Sequence, residues 1–388
     1  MSQRPLVYLI AGEPSGDLLG GSLMAALRRQ TDGAIAFAGI GGEKMIAEGL
    51  ESSFPMAELS VMGLVEVLPR LRQLQRRGEE TVAEIGRLRP AALVTIDAPG
   101  FTLRVAERVK ALGVDVPRIH YVAPSVWAWK PGRAAKVAKY LTHLMALLPF
   151  EPPYFEKEGL SCSFVGHPAI EGMAGKGDGT AFRIRHGIPL DRKIVVMLPG
   201  SRLGEVERML GIFLKALRRL QEGRQPFTVV VPAPAYLADK VRAAIAAAGF
   251  AAIVTESESE KFDAFAAADL ALAKSGTVTL ELALSGVPTV IAYRINWLTH
   301  LIVKRMIKAP YAGLPNVILG CSLMPELLQG DCNPRSLATE LARLLDDPAA
   351  RQAQIDGMAE VRRRLSPPDM TPSEAAAAAV LRVIDGKR

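Results

Sequence analysis

The chain is poor in the residues that mark the common export, redox and metal classes. Cysteine occurs at 3 of 388 positions, Cys162, Cys321 and Cys332. That odd number at wide spacing argues against a disulfide framework or a zinc site and fits a reduced, cytoplasmic setting. Aromatic residues make up 6% of the chain, and Trp127 and Trp129 form its one aromatic cluster. No recognisable nucleic-acid module interleaves aromatics with the charges, which excludes nucleic acid as a partner. No run approaches the ~18–20 apolar residues needed to span a bilayer. The apolar run Leu6–Ala11 is also too short for a secretory leader. There is no Asp-x-Asp pair, no His/Asp cluster at ligand spacing, no P-loop and no Gly-x-Ser-x-Gly elbow. A metal-bound diphosphate, a Walker-type nucleotide site and a serine-hydrolase site are therefore not expected.

The composition that remains is 49% apolar and 22% charged, a globular balance. The length suits two domains better than one core. The net charge of +7 is unevenly spread. Arg104, Arg108, Lys110, Arg118, Lys130, Arg133, Lys136 and Lys139 face only Glu107 and Asp115, and no acidic residue lies between Leu282 and Pro325. Such basic stretches fit a phosphorylated substrate or an anionic membrane surface.

Apolar strand-like runs, each ending in a glycine or proline turn and followed by a helical pattern, recur along the chain. They lie at Leu6–Ala11, Ile35–Ala38, Ala91–Ile96, Arg118–Val122 and Leu144–Leu148, then at Lys193–Leu198, Phe227–Val231, Asp269–Ala273 and Thr289–Tyr293. Continuous apolar strands alternating with helices predict parallel sheets covered on both faces. The expectation is an α/β chain of two Rossmann-like domains, 1–175 and 176–350, joined near Ala174–Thr180. A helical segment, 351–388, is expected to pack back on the first domain. Asp17 is expected to cap the helix that reaches about Gln30.

Ligands of parallel α/β sheets sit at the carboxyl ends of strands, and that rule ranks the candidates. The turn Leu198-Pro199-Gly200-Ser201-Arg202 opens a helix, where exposed backbone N–H groups and a guanidinium suit phosphate. Lys274-Ser275-Gly276-Thr277 is a second such turn. Ser275, Gly276 and Thr277 can hold a diphosphate there, with Glu281 one helical turn on and able to accept from ribose hydroxyls. Helix capping by Ser275 and Thr277, with Glu281 an ordinary first-turn carboxylate, is the alternative. Asp97 closes the run Ala91–Ile96, where a carboxylate can serve as a general base or simply bond the next turn's backbone. The glycine loops Gly12–Gly16 and Gly39–Gly42 do not match the dinucleotide fingerprint. Two apolar-basic segments, Met56–Arg72 and Trp297–Lys308, are candidates for membrane contact or for burial.

Six motifs, taken in chain order, resemble the lipid-A-disaccharide synthases: Ala11-Gly12-Glu13-Pro14-Ser15-Gly16-Asp17, Ile96-Asp97-Ala98-Pro99-Gly100-Phe101, His120–Trp129, Leu198–Arg202, Lys274–Thr277 followed by Glu281, and Leu314-Pro315-Asn316. Pro14 and Gly100 depart from the residues common in relatives. The resemblance implies a GT-B glycosyltransferase with its active site in a cleft between facing domains. It implies inverting transfer from UDP-2,3-diacylglucosamine to 2,3-diacylglucosamine 1-phosphate, releasing UDP and forming a β-1,6-linked disaccharide. It implies no metal and no cofactor, and peripheral attachment to the inner face of the cytoplasmic membrane. Asp97 then matches the base. Gly200, Ser201, Arg202, Glu205, Ser275, Gly276, Thr277 and Glu281 fall on the nucleotide side, and Gly12, Glu13, Ser15, Gly16 and Asn316 on the acceptor side. A UDP-sugar 2-epimerase, or another GT-B transferase with a lipid-linked acceptor, is the alternative. Oligomeric state is left open.

Overall fold

The computed structural model describes residues 4–59, 64–296 and 309–386, with the backbone alone for 64–70. The segment Trp297–Lys308 and residues 60–63 of Met56–Arg72 lie outside the described residues. The apolar runs form two six-stranded sheets in which every pairing is parallel. The first sheet contains β1 (Leu6–Ala11), β2 (Ala36–Ile40), β3 (Ala92–Ile96), β4 (Arg118–Tyr121), β5 (His143–Ala146) and β6 (Ser161–Phe164). Its order is β2-β1-β3-β4-β5-β6. The second contains β7 (Ile194–Leu198), β8 (Thr228–Pro232), β9 (Ile253–Thr255), β10 (Leu270–Lys274), β11 (Thr289–Tyr293) and β12 (Glu326–Leu328), in the order β12-β11-β10-β7-β8-β9. All five residues of β3 and of β7 are buried, as strands covered by helices on both faces must be.

The chain divides into two compact units, one reaching Pro168 and resuming at Leu365, the other spanning Ala169–Arg364. The break at 364/365 splits the C-terminal segment. Helix Pro348–Leu365 lies almost wholly in the second unit, where Arg362 donates to the Leu284 carbonyl. Helix Pro372–Ile384 belongs to the first. It opens with a capping box between Thr371 and Glu374. Its small face of Ala375, Ala376, Ala379 and Val380 packs into one core with Leu23, Met24 and Leu27 of helix Pro14–Gln30. No described helix is long and apolar enough to cross a membrane.

Asp17 departs from expectation. Helix Pro14–Gln30 begins with proline in its first turn, so Asp17 already lies inside it. Its buried carboxylate caps a neighbouring helix, Glu43–Ala47, accepting from the N–H groups of Gly42, Lys44 and Met45 at 2.8, 2.9 and 3.0 Å.

Candidate functional site

Each sheet has one place where the chain reverses its direction of winding. In the first it falls between β1 and β3, in the second between β7 and β10. These switch points are where open parallel sheets bind ligands, and the sequence candidates collect there.

In the first unit, Asp97 follows β3 directly. Asp97 and the next residue, Ala98, both adopt left-handed backbone angles, φ +47° and +42°. Such conformations are costly for residues other than glycine and persist only where surroundings enforce them. Here Asp97 N–H donates to the Tyr121 carbonyl at 2.9 Å. Thr102 Oγ1 bonds the Asp97 and Ala98 carbonyls at 2.6 and 3.1 Å. Gly12 and Gly16 let the start of helix Pro14–Gln30 approach this turn. A Cβ on Gly12 would stand 2.9 Å from Ala98 Cβ, and one on Gly16 would stand 3.3 Å from the Ile96 carbonyl oxygen. Ser15 is thereby brought to donate its hydroxyl to Asp97 Oδ2 at 3.4 Å. Burial, and then the Asp97 charge, raise the Glu13 carboxyl above its usual range. Beside the turn lies a cavity of about 270 Å³. Leu59, Leu71, Leu74 and Phe101 make it apolar, while Arg104 and Arg108 bring positive charge to it.

In the second unit, β7 ends at Leu198 and helix Leu203–Gln221 begins after Arg202. Gly200 adopts φ +136°, and a Cβ there would stand 2.5 Å from Glu205 Cβ, so glycine is required. A cavity of about 480 Å³ opens over these strand ends, lined among others by Ser201, Arg202, Lys274, Thr277 and Glu281. Glu281 accepts from Lys261 Nζ at 3.0 Å. Glu205 accepts from Lys274 Nζ at 2.9 Å and from Ser201 N–H at 3.2 Å. Burial pushes the Glu205 carboxyl up, but the Lys274 ammonium, the Ser201 N–H and Arg202 outweigh it and hold the group below the usual carboxylate range.

Two sequence candidates are placed away from this lining. Ser275 turns its hydroxyl to the Ala312 carbonyl at 2.8 Å. Asn316 is fully buried. Its Nδ2 donates to the Met324 carbonyl at 2.8 Å and to Glu326 Oε1 at 2.7 Å, and its Oδ1 accepts from Met324 N–H at 2.8 Å. That bonding makes Asn316 a brace between helix Leu314–Leu319 and the strand β12. Lys261 and Lys274, not assigned from sequence, belong to the cavity wall. For Lys274 the signal was present, since it ends a strand that runs straight into a glycine turn, as the strand ending at Leu198 does. Among the described residues no group of three His, Cys, Asp or Glu side chains gathers as metal ligands would.

This arrangement has known counterparts. Fold-level similarity extends to the UDP-GlcNAc 2-epimerase of Neisseria meningitidis solved with UDP-GlcNAc, with a TM-score of 0.63 at 10% identity, covering 98% of this chain and 99% of that one. The two-sheet architecture is thus of the GT-B type shared by glycosyltransferases and epimerases. Sequence similarity is far closer to lipid-A-disaccharide synthases. That of Rhodospirillum centenum is 52% identical over 379 residues, 98% of this chain and 94% of the relative. That of Paramagnetospirillum magneticum is 50% identical over 378 residues, 97% of each. With the family profile described as lipid-A-disaccharide synthetase matching residues 7–380 and both switch-point turns inside that span, the chain belongs to the lipid-A-disaccharide synthetase family.

Proposed function

We propose that the enzyme transfers 2,3-diacylglucosamine from UDP-2,3-diacylglucosamine to the 6-hydroxyl of 2,3-diacylglucosamine 1-phosphate. The products are the β-1,6-linked disaccharide 1-phosphate and UDP. The observation that carries this reading is Asp97, a carboxylate held in a left-handed turn at the switch point of its sheet. An inverting transfer needs one base to take the hydroxyl proton as the new bond forms, and Asp97 is that base. Ser15 orients its Oδ2 by hydrogen bonding.

The cavity of the second unit takes the UDP part of the donor. Ser201, Arg202 and Thr277 meet the diphosphate there, and Glu281 accepts from the ribose hydroxyls. The cavity beside Asp97 takes the acceptor. Its leucines and Phe101 suit an acyl chain, and Arg104 and Arg108 suit the 1-phosphate. Substrates of this kind reside in a bilayer, and the basic stretch Arg104–Lys139 supports peripheral binding at the anionic inner face of the cytoplasmic membrane.

The test is a mass-spectrometric turnover assay with both substrates in detergent, run with and without EDTA. Disaccharide and UDP in equal amounts, unaffected by EDTA, is the expected result. Isomerisation of the UDP-sugar without acceptor, or no product despite bound UDP, would overturn it.

A further inference from the structure

The wall of the cavity in the second unit includes a largely buried lysine, Lys274. Lys274 is the last residue of β10, and its side chain is 16% exposed. The ammonium lies 5.0 Å from the centroid of the Tyr293 ring. A Cβ added to Gly276 would stand 3.8 Å from Nζ, so the side chain curls back over the Ser275-Gly276-Thr277 turn. Its one carboxylate partner among the described residues, Glu205 Oε1 at 2.9 Å, comes from the first turn of helix Leu203–Gln221. The other oxygen of Glu205 accepts the Ser201 N–H of the opposite glycine turn. Nζ is therefore suspended between the two turns of the switch point by a carboxylate that also fixes one of them.

The cavity carries charges of both signs along the sheet. Arg202 and Lys274 stand at the ends of β7 and β10, which are neighbours. Glu256 and Glu258 follow β9, two strands from β7, or about 10 Å away at ordinary strand spacing. Between the glycine turns Lys274 is paired with Glu205, while Lys261, in the helix after β9, is paired with Glu258 and Glu281. A carboxylate has no proton to give a phosphate oxygen at neutral pH, so Glu205 cannot itself hold a diphosphate. An ammonium carries three donors; among the described residues Glu205 takes one, leaving two for a ligand.

We infer that Lys274 receives the diphosphate of the sugar-nucleotide donor, and that Glu205 is the positioning residue that holds the ammonium over the Gly276 turn. The inference rests on the UDP-sugar reading and deepens it. In the transfer, the bond between the anomeric carbon and the diphosphate oxygen breaks, and its electron pair stays on that oxygen. The acceptor oxygen forms the new bond, and its proton passes to Asp97. Lys274 keeps all its protons and meets the growing charge on the leaving oxygen, which a preorganised cation stabilises without reorientation.

The experiment compares UDP and uridine binding, by calorimetry and ligand-observed NMR, in the wild type, Lys274→Met, Lys274→Arg and Glu205→Gln. Lys274→Met should weaken UDP by about 10–100-fold, the usual worth of a charge-assisted phosphate contact, while uridine is unchanged. Lys274→Arg should recover most of the loss. Glu205→Gln should fall between, because the ammonium remains but is less firmly held. Equal losses for UDP and uridine in Lys274→Met, or no loss for UDP, would overturn the assignment and leave the UDP site standing. Wild-type protein that binds no UDP would overturn the donor reading as well.

Discussion

Trp127 Nε1 donates to Glu151 Oε1 at 3.1 Å, while Phe150 meets the indole edge-on with ring centroids 5.2 Å apart. Glu151 also accepts the Leu148 N–H at 3.1 Å and is only 3% exposed. Burial dominates over these hydrogen bonds and pushes its carboxyl up to about 7. An acid raised on folding keeps its proton in the native state after the unfolded chain has lost it. Its stability contribution is complete below the unfolded value of 4.5 and is lost as pH rises through about 7. Urea unfolding at pH 5 and pH 8 should show Glu151→Gln losing this part of the pH dependence, roughly 3 kcal/mol at most. An unchanged pH dependence would mean that the carboxylate is ionised when folded.

Asp97→Asn should retain the fold and UDP binding while turnover drops by about 10²–10⁴-fold, the usual worth of base catalysis. Product formation under single-turnover conditions checks this. Near-normal rates would remove Asp97 from proton transfer.

Glu281 lines the nucleotide cavity with Lys261 on one carboxylate oxygen. If it accepts from the ribose, wild-type enzyme should prefer UDP over 2′-deoxy-UDP by about tenfold, as one hydrogen bond to a charged group predicts. Glu281→Ala should bind the two almost equally. A preference that survives the substitution would place the ribose elsewhere.

Asp17→Ala should destabilise the first unit by on the order of 3 kcal/mol, because it strands three N–H groups that share one buried carboxylate. Chemical denaturation followed by circular dichroism measures this. A loss below about 0.5 kcal/mol, the range of ordinary surface substitutions, would mean that water replaces the cap.

The strands found from sequence and those missed differ in position. Nine strands were legible as apolar runs, from Leu6–Ala11 to Thr289–Tyr293. The three that were not, β6, β9 and β12, all lie at sheet edges and have only three or four residues each. Ser161-Cys162-Ser163-Phe164 and Glu326-Leu327-Leu328 are half-buried, so they carry neither a continuous apolar run nor an alternation long enough to read. The bonding partners of Asp17 and Asn316 were hidden for a related reason. Both are polar residues that end a motif, and a local pattern cannot say that their partners are Gly42 or Met324.

The sequence by itself determined the succession of buried strands, glycine turns and helices, and the short set of residues able to carry the chemistry. Those features depend on side-chain polarity and backbone freedom within a few residues, which is all a local pattern records. Which strand ends stand side by side was decided only by the tertiary structure. β1 lies against β3, bringing Ser15 to Asp97, and β7 lies against β10, bringing Glu205 to Lys274. Strand adjacency follows from how the whole sheet buries its faces, an energy shared among many distant residues. No single segment states it.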